Sequence, residues 1–202
     1  MILSNNTIGA FFRLDNLIIP AALKEKIIDI SNSYKEWPAH GNKNRELYIL
    51  SHTIDNIPEL SLLLNLVNAD IRKDIRFNIQ AIAPGSSLAA HTDPDRYSAI
   101  NIPIVGNYRT SYIQFFEQGT SEKIVTDFIK NDGTRPSPPG VNYPNPKLVG
   151  RVYYDTPICI NTSKIHNVKN MSKISRVVLS LGFETTRFST LEDMHKENKL
   201  LV

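Results

Sequence analysis

Hydrophobic positions along this chain change rhythm near residue 75. Before that point they recur mostly at helical spacing; after it they fall into short runs broken by turn residues. The stretch IGAFFRLDNLII (8–19) predicts an opening strand. Pro20 suits the first turn of a helix, because its missing N–H would be unpaired there anyway. In the following AALKEKIIDISNSYKEW, residues Leu23, Ile27, Ile28, Ile30 and Tyr34 lie close to helical spacing. ELYILSHTI (46–54) predicts a strand. IPELSLLLNLVNADIRKDI (57–75) predicts a second helix, with Leu60, Leu63, Leu64 and Val67 on its buried face.

The runs RFNIQAIA, AAHTD, YSAINIPIV, TSYIQFFE, KLVGRVYY, TPICINT and SRVVLSLGF are rich in β-branched and aromatic residues. Short strands at this spacing predict an antiparallel sandwich or barrel, with the two helices covering one outer face. Residues 117–150 break the rhythm and hold five of the chain's 12 prolines between 136 and 146. A long irregular insertion of this kind is expected to act as a lid or binding loop, or else to be a surface excursion. No internal repeat is evident.

Composition sets the class. The 202 residues are 41% apolar and 21% charged, as in an ordinary globular domain with room for a core. A net charge of +3 without a basic stripe argues against a nucleic-acid partner, and IRKDIR (71–76) reads as a solvated helix end. The single cysteine, Cys159, excludes an internal disulfide, fits a reducing compartment and reads as buried strand filler. With no secretory signal pattern and no apolar span of membrane length, a soluble, cytoplasmic location is expected.

The segment SSLAAHTDPDRYS (86–98) carries the candidate chemistry. His91 and Asp93 stand two apart, and such side chains on a strand point the same way. They suit a shared metal ion, or an ordinary strand end entering a polar turn. Two histidines and one carboxylate on one face of an octahedron commonly hold non-haem ferrous iron. Of the other histidines, His40 and His195 lie in polar stretches, and His52 and Asp55 are spaced wrongly for one strand face; each is expected to be a surface or packing residue. His166 follows a short apolar strand and a polar turn, from which an adjacent strand could bring it to the pair.

Ten residues beyond His166 stands Arg176. Alternation places Val177, Leu179, Leu181 and Phe183 on one face of its strand, and Arg176, Val178, Ser180 and Gly182 on the other. An arginine on an interior face otherwise carrying small residues needs a partner, since a buried guanidinium is costly unless paired. A carboxylate ligand would satisfy it through two parallel hydrogen bonds.

AIAPGSSLAAHTDPD, then His166, then Arg176, resembles the 2-oxoglutarate- and iron(II)-dependent oxygenases over roughly residues 76–183. IQAIAPG looks like the approach to the motif in prolyl-hydroxylase-like members. INIPIVGN and HNVKN look like stretches of small bacterial and viral members and of aspartyl/asparaginyl-hydroxylase-like ones. The resemblance implies a mostly β fold: a double-stranded β-helix, or jelly roll, with the N-terminal helices packed outside. It implies one domain, 1–202, made of helical support (1–75), core (76–183) and tail (184–202). It implies His91, Asp93 and His166 as iron ligands and Arg176 as the grip on the distal carboxylate of 2-oxoglutarate. The implied reaction consumes O2, releases succinate and CO2, and most often hydroxylates an amino acid, a peptidyl side chain or another small molecule. Asp93 argues against the halogenating variant, in which a small residue at that position leaves room for halide. With neutral histidines, the charges of iron, Asp93, 2-oxoglutarate and Arg176 would cancel.

Two departures from the family pattern stand out. The gap from Asp93 to His166 is long, and the 117–150 insertion accounts for it; as a lid it would offer Tyr143, Asn142 and Arg135 to substrate. Some members place a hydroxyl residue two after the arginine, where this chain has Val178. Tyr112 and Asn101 are the candidates to share the carboxylate instead, with Asn78 and Gln80 weaker ones. The rivals are a cupin-like metalloenzyme without 2-oxoglutarate and a non-enzymatic jelly-roll binding domain.

Overall fold

The computed structural model describes residues 9–33, 47–52, 55–119, 122–125 and 140–202. The fold is mostly β, a jelly roll of two six-stranded antiparallel sheets. The larger sheet joins β1 (Phe11–Arg13), β10 (Ile158–Asn161), β5 (Ser98–Val105), β12 (Arg176–Phe183), β3 (Ile75–Ile82) and β2 (Leu47–His52) in that order. The smaller joins β7 (Ile124–Val125), β8 (Val141–Asn142), β4 (His91–Thr92), β11 (Ile165–Asn170), β6 (Ser111–Glu117) and β9 (Lys147–Val152).

Strand alternation divides the apolar residues between two cores. From the larger sheet, Phe77, Ile79, Ile100, Ile102, Leu179 and Leu181 face outward and pack beneath three helices. These are α1 (Ala21–Ser33) with Leu23 and Ile27, α2 (Leu60–Leu64) with Leu60 and Leu63, and α4 (Phe188–Lys196) with Phe188 and Leu191. Cys159 belongs to this layer as the expected strand filler, and burial raises its thiol pKa. From the other face, Ile82, Ala99, Ile158 and Ile160 meet Ile113, Phe115 and Val168 of the smaller sheet. Phe11 stacks on Phe115 across the gap, with ring centroids 5.9 Å apart. The expected alternation of β12 holds, so Arg176, Val178, Ser180 and Gly182 face the inter-sheet space and all eight residues of the strand are buried.

Several expectations are corrected. The opening strand is confined to Phe11–Arg13. The helix expected over 57–75 breaks into α2 and a four-residue turn, α3 (Ala69–Arg72). The cause is not local: the C-terminus pairs with the segment between them, through Asn68 N–H to Leu200 O and Val202 N–H to Leu66 O, both 3.0 Å. Asn68 then caps α3 by accepting from the Asp70 amide at 2.9 Å. The charged tail, for which no element was expected, forms α4, and His195 takes the packing role that was one of its two expected readings, its ring stacked on Phe12 at 4.7 Å. The 117–150 insertion is not irregular throughout, because β7, β8 and most of β9 lie within it and extend the smaller sheet at both edges. Tyr34, His40 and Arg135 lie outside the described residues.

Candidate metal centre and anion pocket

His91 and His166 are brought together by strand register. They are cross-strand partners on β4 and β11, and Phe115 of β6 stands on the other side of His166. Opposed residues in a ladder share a face, so both imidazoles enter the inter-sheet space. Asp93 follows β4 directly, its amide donating to Thr162 O at 3.1 Å. One nitrogen of each histidine and one Asp93 oxygen lie within 4.8 Å of one another.

Hydrogen bonds on the far side of each ring select the tautomer. His91 Nδ1 lies 2.7 Å from Ala89 O, and His166 Nδ1 lies 2.9 Å from Lys164 O. A carbonyl only accepts, so Nδ1 carries a proton in each ring. Each Nε2 faces Asp93 Oδ1, at 3.1 Å from His91, where a protonated ring hydrogen-bonds it, and at 3.6 Å from His166. On neutral rings each Nε2 presents a lone pair there. Three acceptors turned toward one point suit a cation between them. Burial lowers the pKa of His166 to about 4 against the opposing pull of Asp93, which keeps it a neutral ligand. Burial also pushes the Asp93 pKa up, but Arg96, His166 and His91 together hold it well below the usual carboxylate range.

Arg176 lies on the same interior face and is 1% exposed. Its guanidinium sits over the Tyr154 ring at 5.0 Å. Its Nε and Nη2, and the Tyr154 hydroxyl, have no hydrogen-bond partner among the described residues. Burial lowers the Arg176 pKa to about 10, so it is still a cation at neutral pH. Tyr108 stands alongside. Burial raises its pKa to about 12 against the opposing effect of Arg176, and its hydroxyl donates to Val177 O at 3.4 Å. The chain passes close to Arg176 at Gly106, which has φ +148°; a Cβ there would lie 3.4 Å from Arg176 Cα.

The candidates for a second carboxylate partner fall elsewhere. Alternation sends Tyr112 to the outer face of β6, opposite Ile113 and Phe115, where it lies under Arg151 and against Tyr153. Asn101 is on the interior face but opposite Ser180, four residues along β12 from Arg176, or about 13 Å of strand. Asn78 and Gln80, opposite Ser180 and Val178, are half-buried on that face. Asn142 stands across from His91, and the Tyr143 amide donates to Ala90 O at 2.9 Å. A separate cleft of about 550 Å³ opens beside Gln114, Phe116, Asn167 and Lys169, on the face of the smaller sheet turned away from His166.

Sequence reading missed Tyr108, Tyr154 and Arg96. For the tyrosines no local signal exists, since they reach Arg176 from loops remote in sequence. Arg96, three residues after Asp93, had a visible spacing; its Nε donates to Asp93 Oδ2 at 2.6 Å.

No family model matches the sequence, and no curated protein matches it. Solved structures do match in shape. The epimerase SnoN, in complex with Fe3+, alpha-ketoglutarate and nogalamycin RO, is 9% identical with a TM-score of 0.51, over 87% of this chain and 78% of its own. A prolyl hydroxylase from Trichoplax adhaerens, in complex with a hypoxia-inducible-factor peptide fragment, is 12% identical with a TM-score of 0.50, over 88% and 84%. A 2OG-Fe(II) oxygenase family protein from Burkholderia pseudomallei is 16% identical with a TM-score of 0.47, over 89% and 86%. At these identities the likeness is one of fold.

Proposed function

We propose that this protein is an iron(II)- and 2-oxoglutarate-dependent oxygenase acting on an amino acid, a peptidyl side chain or another small molecule. One observation carries the proposal: the His91, Asp93 and His166 donors converge on the same interior face that holds Arg176 with unpaired guanidinium N–H groups. The residues fit both groups. Two neutral imidazoles and one carboxylate are the donor set of a facial iron site with open positions. A buried cation with free donors fits an anionic ligand. The SnoN complex with iron and alpha-ketoglutarate, on a like fold, supports the pairing; the prolyl hydroxylase complex supports a peptide among the candidate substrates.

Iron held by this triad would couple decarboxylation of 2-oxoglutarate, giving succinate and CO2, to oxidation of a C–H bond by O2. The chain's own groups do the rest. Arg176 Nε and Nη2 would donate to the distal carboxylate, and Tyr108, kept protonated by burial, would turn its one O–H from Val177 O, 3.4 Å away, to donate there in place of the Tyr112 and Asn101 first expected. Tyr154 walls the pocket and stacks against the guanidinium. Tertiary burial on this face keeps bulk water from the anion.

Anaerobic titration of the protein with ferrous iron, then 2-oxoglutarate, followed by a succinate-release screen over amino acids, peptides and small molecules, tests the assignment. One iron per chain, iron-dependent 2-oxoglutarate binding and substrate-stimulated succinate are expected. Metal binding without 2-oxoglutarate binding would favour a cupin-like metalloenzyme, and absence of both a non-enzymatic jelly roll.

A further inference from the structure

We infer that Arg96 is a positioning residue that holds Asp93 to one-oxygen ligation of the metal. This rests on the proposed metal centre. The two Asp93 oxygens have different neighbours. Oδ1 faces His91 and His166, while Oδ2 takes the Arg96 Nε–H at 2.6 Å. A guanidinium pairing through its fork would occupy both oxygens. Approach through Nε to Oδ2 leaves Oδ1 free and prevents the carboxylate from turning both oxygens to one ion. A metal held this way keeps one more position open than a chelated one.

Arg96 is itself held from three sides. Asp95, at φ +64°, reverses the chain so that residue 96 returns to residue 93; aspartate tolerates this conformation better than most residues. Thr162 clasps both ends of the turn. Its carbonyl accepts the Asp93 amide at 3.1 Å, and its hydroxyl donates to Arg96 O at 2.8 Å. Beyond the turn, the side chain runs across β12. Nη1 donates to Ser180 Oγ at 3.4 Å, and Gly182 leaves space for the stem. A Cβ at Gly182 would lie 3.0 Å from Arg96 Cδ and 3.4 Å from Nη1. Gly182 is in extended strand, so the need for glycine there comes from Arg96 and not from the backbone.

Calorimetric titration with cobalt(II), and the visible spectrum of the cobalt-loaded protein, test this in wild type, R96Q, R96K, G182A and R96Q/G182A. Arg96→Gln should weaken cobalt binding by roughly 10- to 100-fold, as loss of an outer partner of a metal ligand does. Its absorption should change as well, because a second carboxylate oxygen would take a position on the cobalt that water otherwise holds. Arg96→Lys should recover part of both, since an ammonium still offers a charged donor to one oxygen. Gly182→Ala keeps Arg96 but displaces it; it should weaken binding less than Arg96→Gln does, and add nothing in the R96Q background. Wild-type affinity and spectrum in R96Q, or an undiminished Gly182→Ala effect in the R96Q background, would overturn the inference. If R96Q does not fold, Gly182→Ala alone decides: unchanged affinity and spectrum overturn it. Failure of wild type to take up cobalt would instead remove the metal centre, and this inference with it.

Discussion

His166 stands directly across the ladder from His91, although 75 residues separate them in the chain, and their rings lie 4.7 Å apart. Each ring is turned by the carbonyl two residues before it, Ala89 O or Lys164 O, so register and hydrogen bonding fix both ligand atoms before any ion arrives. Removing the one charged donor should therefore be severe. Asp93→Ala should lower ferrous iron affinity by well over the ~10- to 100-fold seen on loss of an outer partner. Anaerobic titration followed by metal analysis of the gel-filtered protein measures it, and retention of stoichiometric iron by the variant would remove Asp93 from the site.

Arg176 separates binding from stability. Arg176→Met should abolish 2-oxoglutarate binding while leaving metal uptake intact. The same change should leave the ligand-free protein equally stable or more stable by up to about 4 kcal/mol, because it removes a buried charge that has no anionic partner among the described residues. Arg176→Lys should restore only part of the binding, since an ammonium lacks the planar fork. Calorimetry and thermal melting in the absence of 2-oxoglutarate read the two effects. Unaltered 2-oxoglutarate affinity in the methionine variant would refute the role.

Tyr108→Phe should weaken 2-oxoglutarate binding by about tenfold, the size of a lost hydrogen bond to a charged acceptor. Metal affinity should not move. Tyr112→Phe serves as the control, because Tyr112 lies on the outer face beneath Arg151 and should bind 2-oxoglutarate as wild type does. Equal effects of the two substitutions would show that the hydroxyl beside Arg176 is not used.

Gly106→Ala tests how tightly the chain is laid against Arg176. Its φ of +148° strains any L side chain, and the new Cβ would lie in contact with Arg176, 3.4 Å from its Cα. A loss of about 1–3 kcal/mol of stability is expected, together with weaker 2-oxoglutarate binding. Denaturant unfolding measures the first and calorimetry the second.

Asp74 supplies a pH dependence remote from the site. It follows α3 and accepts from the Thr185 amide at 3.0 Å and the Thr186 amide at 2.7 Å, tying the start of β3 to the link between β12 and α4. Burial tends to raise its pKa, but these hydrogen bonds outweigh that and lower it from 3.8. A depressed folded pKa contributes stability that is present above pH 3.8 and is lost as pH falls below it. Asp74→Asn should cost about 1 kcal/mol at neutral pH, the partial exposure of the group reducing a charged hydrogen bond's usual worth. It should also flatten the fall in melting temperature below pH 4. Melts across pH 3–7 that superimpose for both proteins would contradict this.

The sequence by itself determined the alternation of β12, and with it which face carries Arg176 and which carries Leu179 and Leu181, because strand side chains alternate without exception where register is regular. It also marked His91, Asp93 and His166 as a candidate ligand set, since one strand-spaced pair and one histidine after a strand and a polar turn are local patterns. Tertiary structure decided what depends on pairing between distant segments. Only the β4–β11 register shows that His166 meets His91. Only the return of the C-terminus onto Asn68 explains why an apolar periodicity that reads as one helix stops after a turn and a half. Tyr108 and Tyr154 reach Arg176 from separate loops, whereas Tyr112, the tyrosine expected from the sequence, is carried to the opposite face of its sheet. The partner of each Asp93 oxygen is a matter of ångströms, set by a left-handed Asp95, a clasping Thr162 and the empty space above Gly182, none of which a residue pattern records.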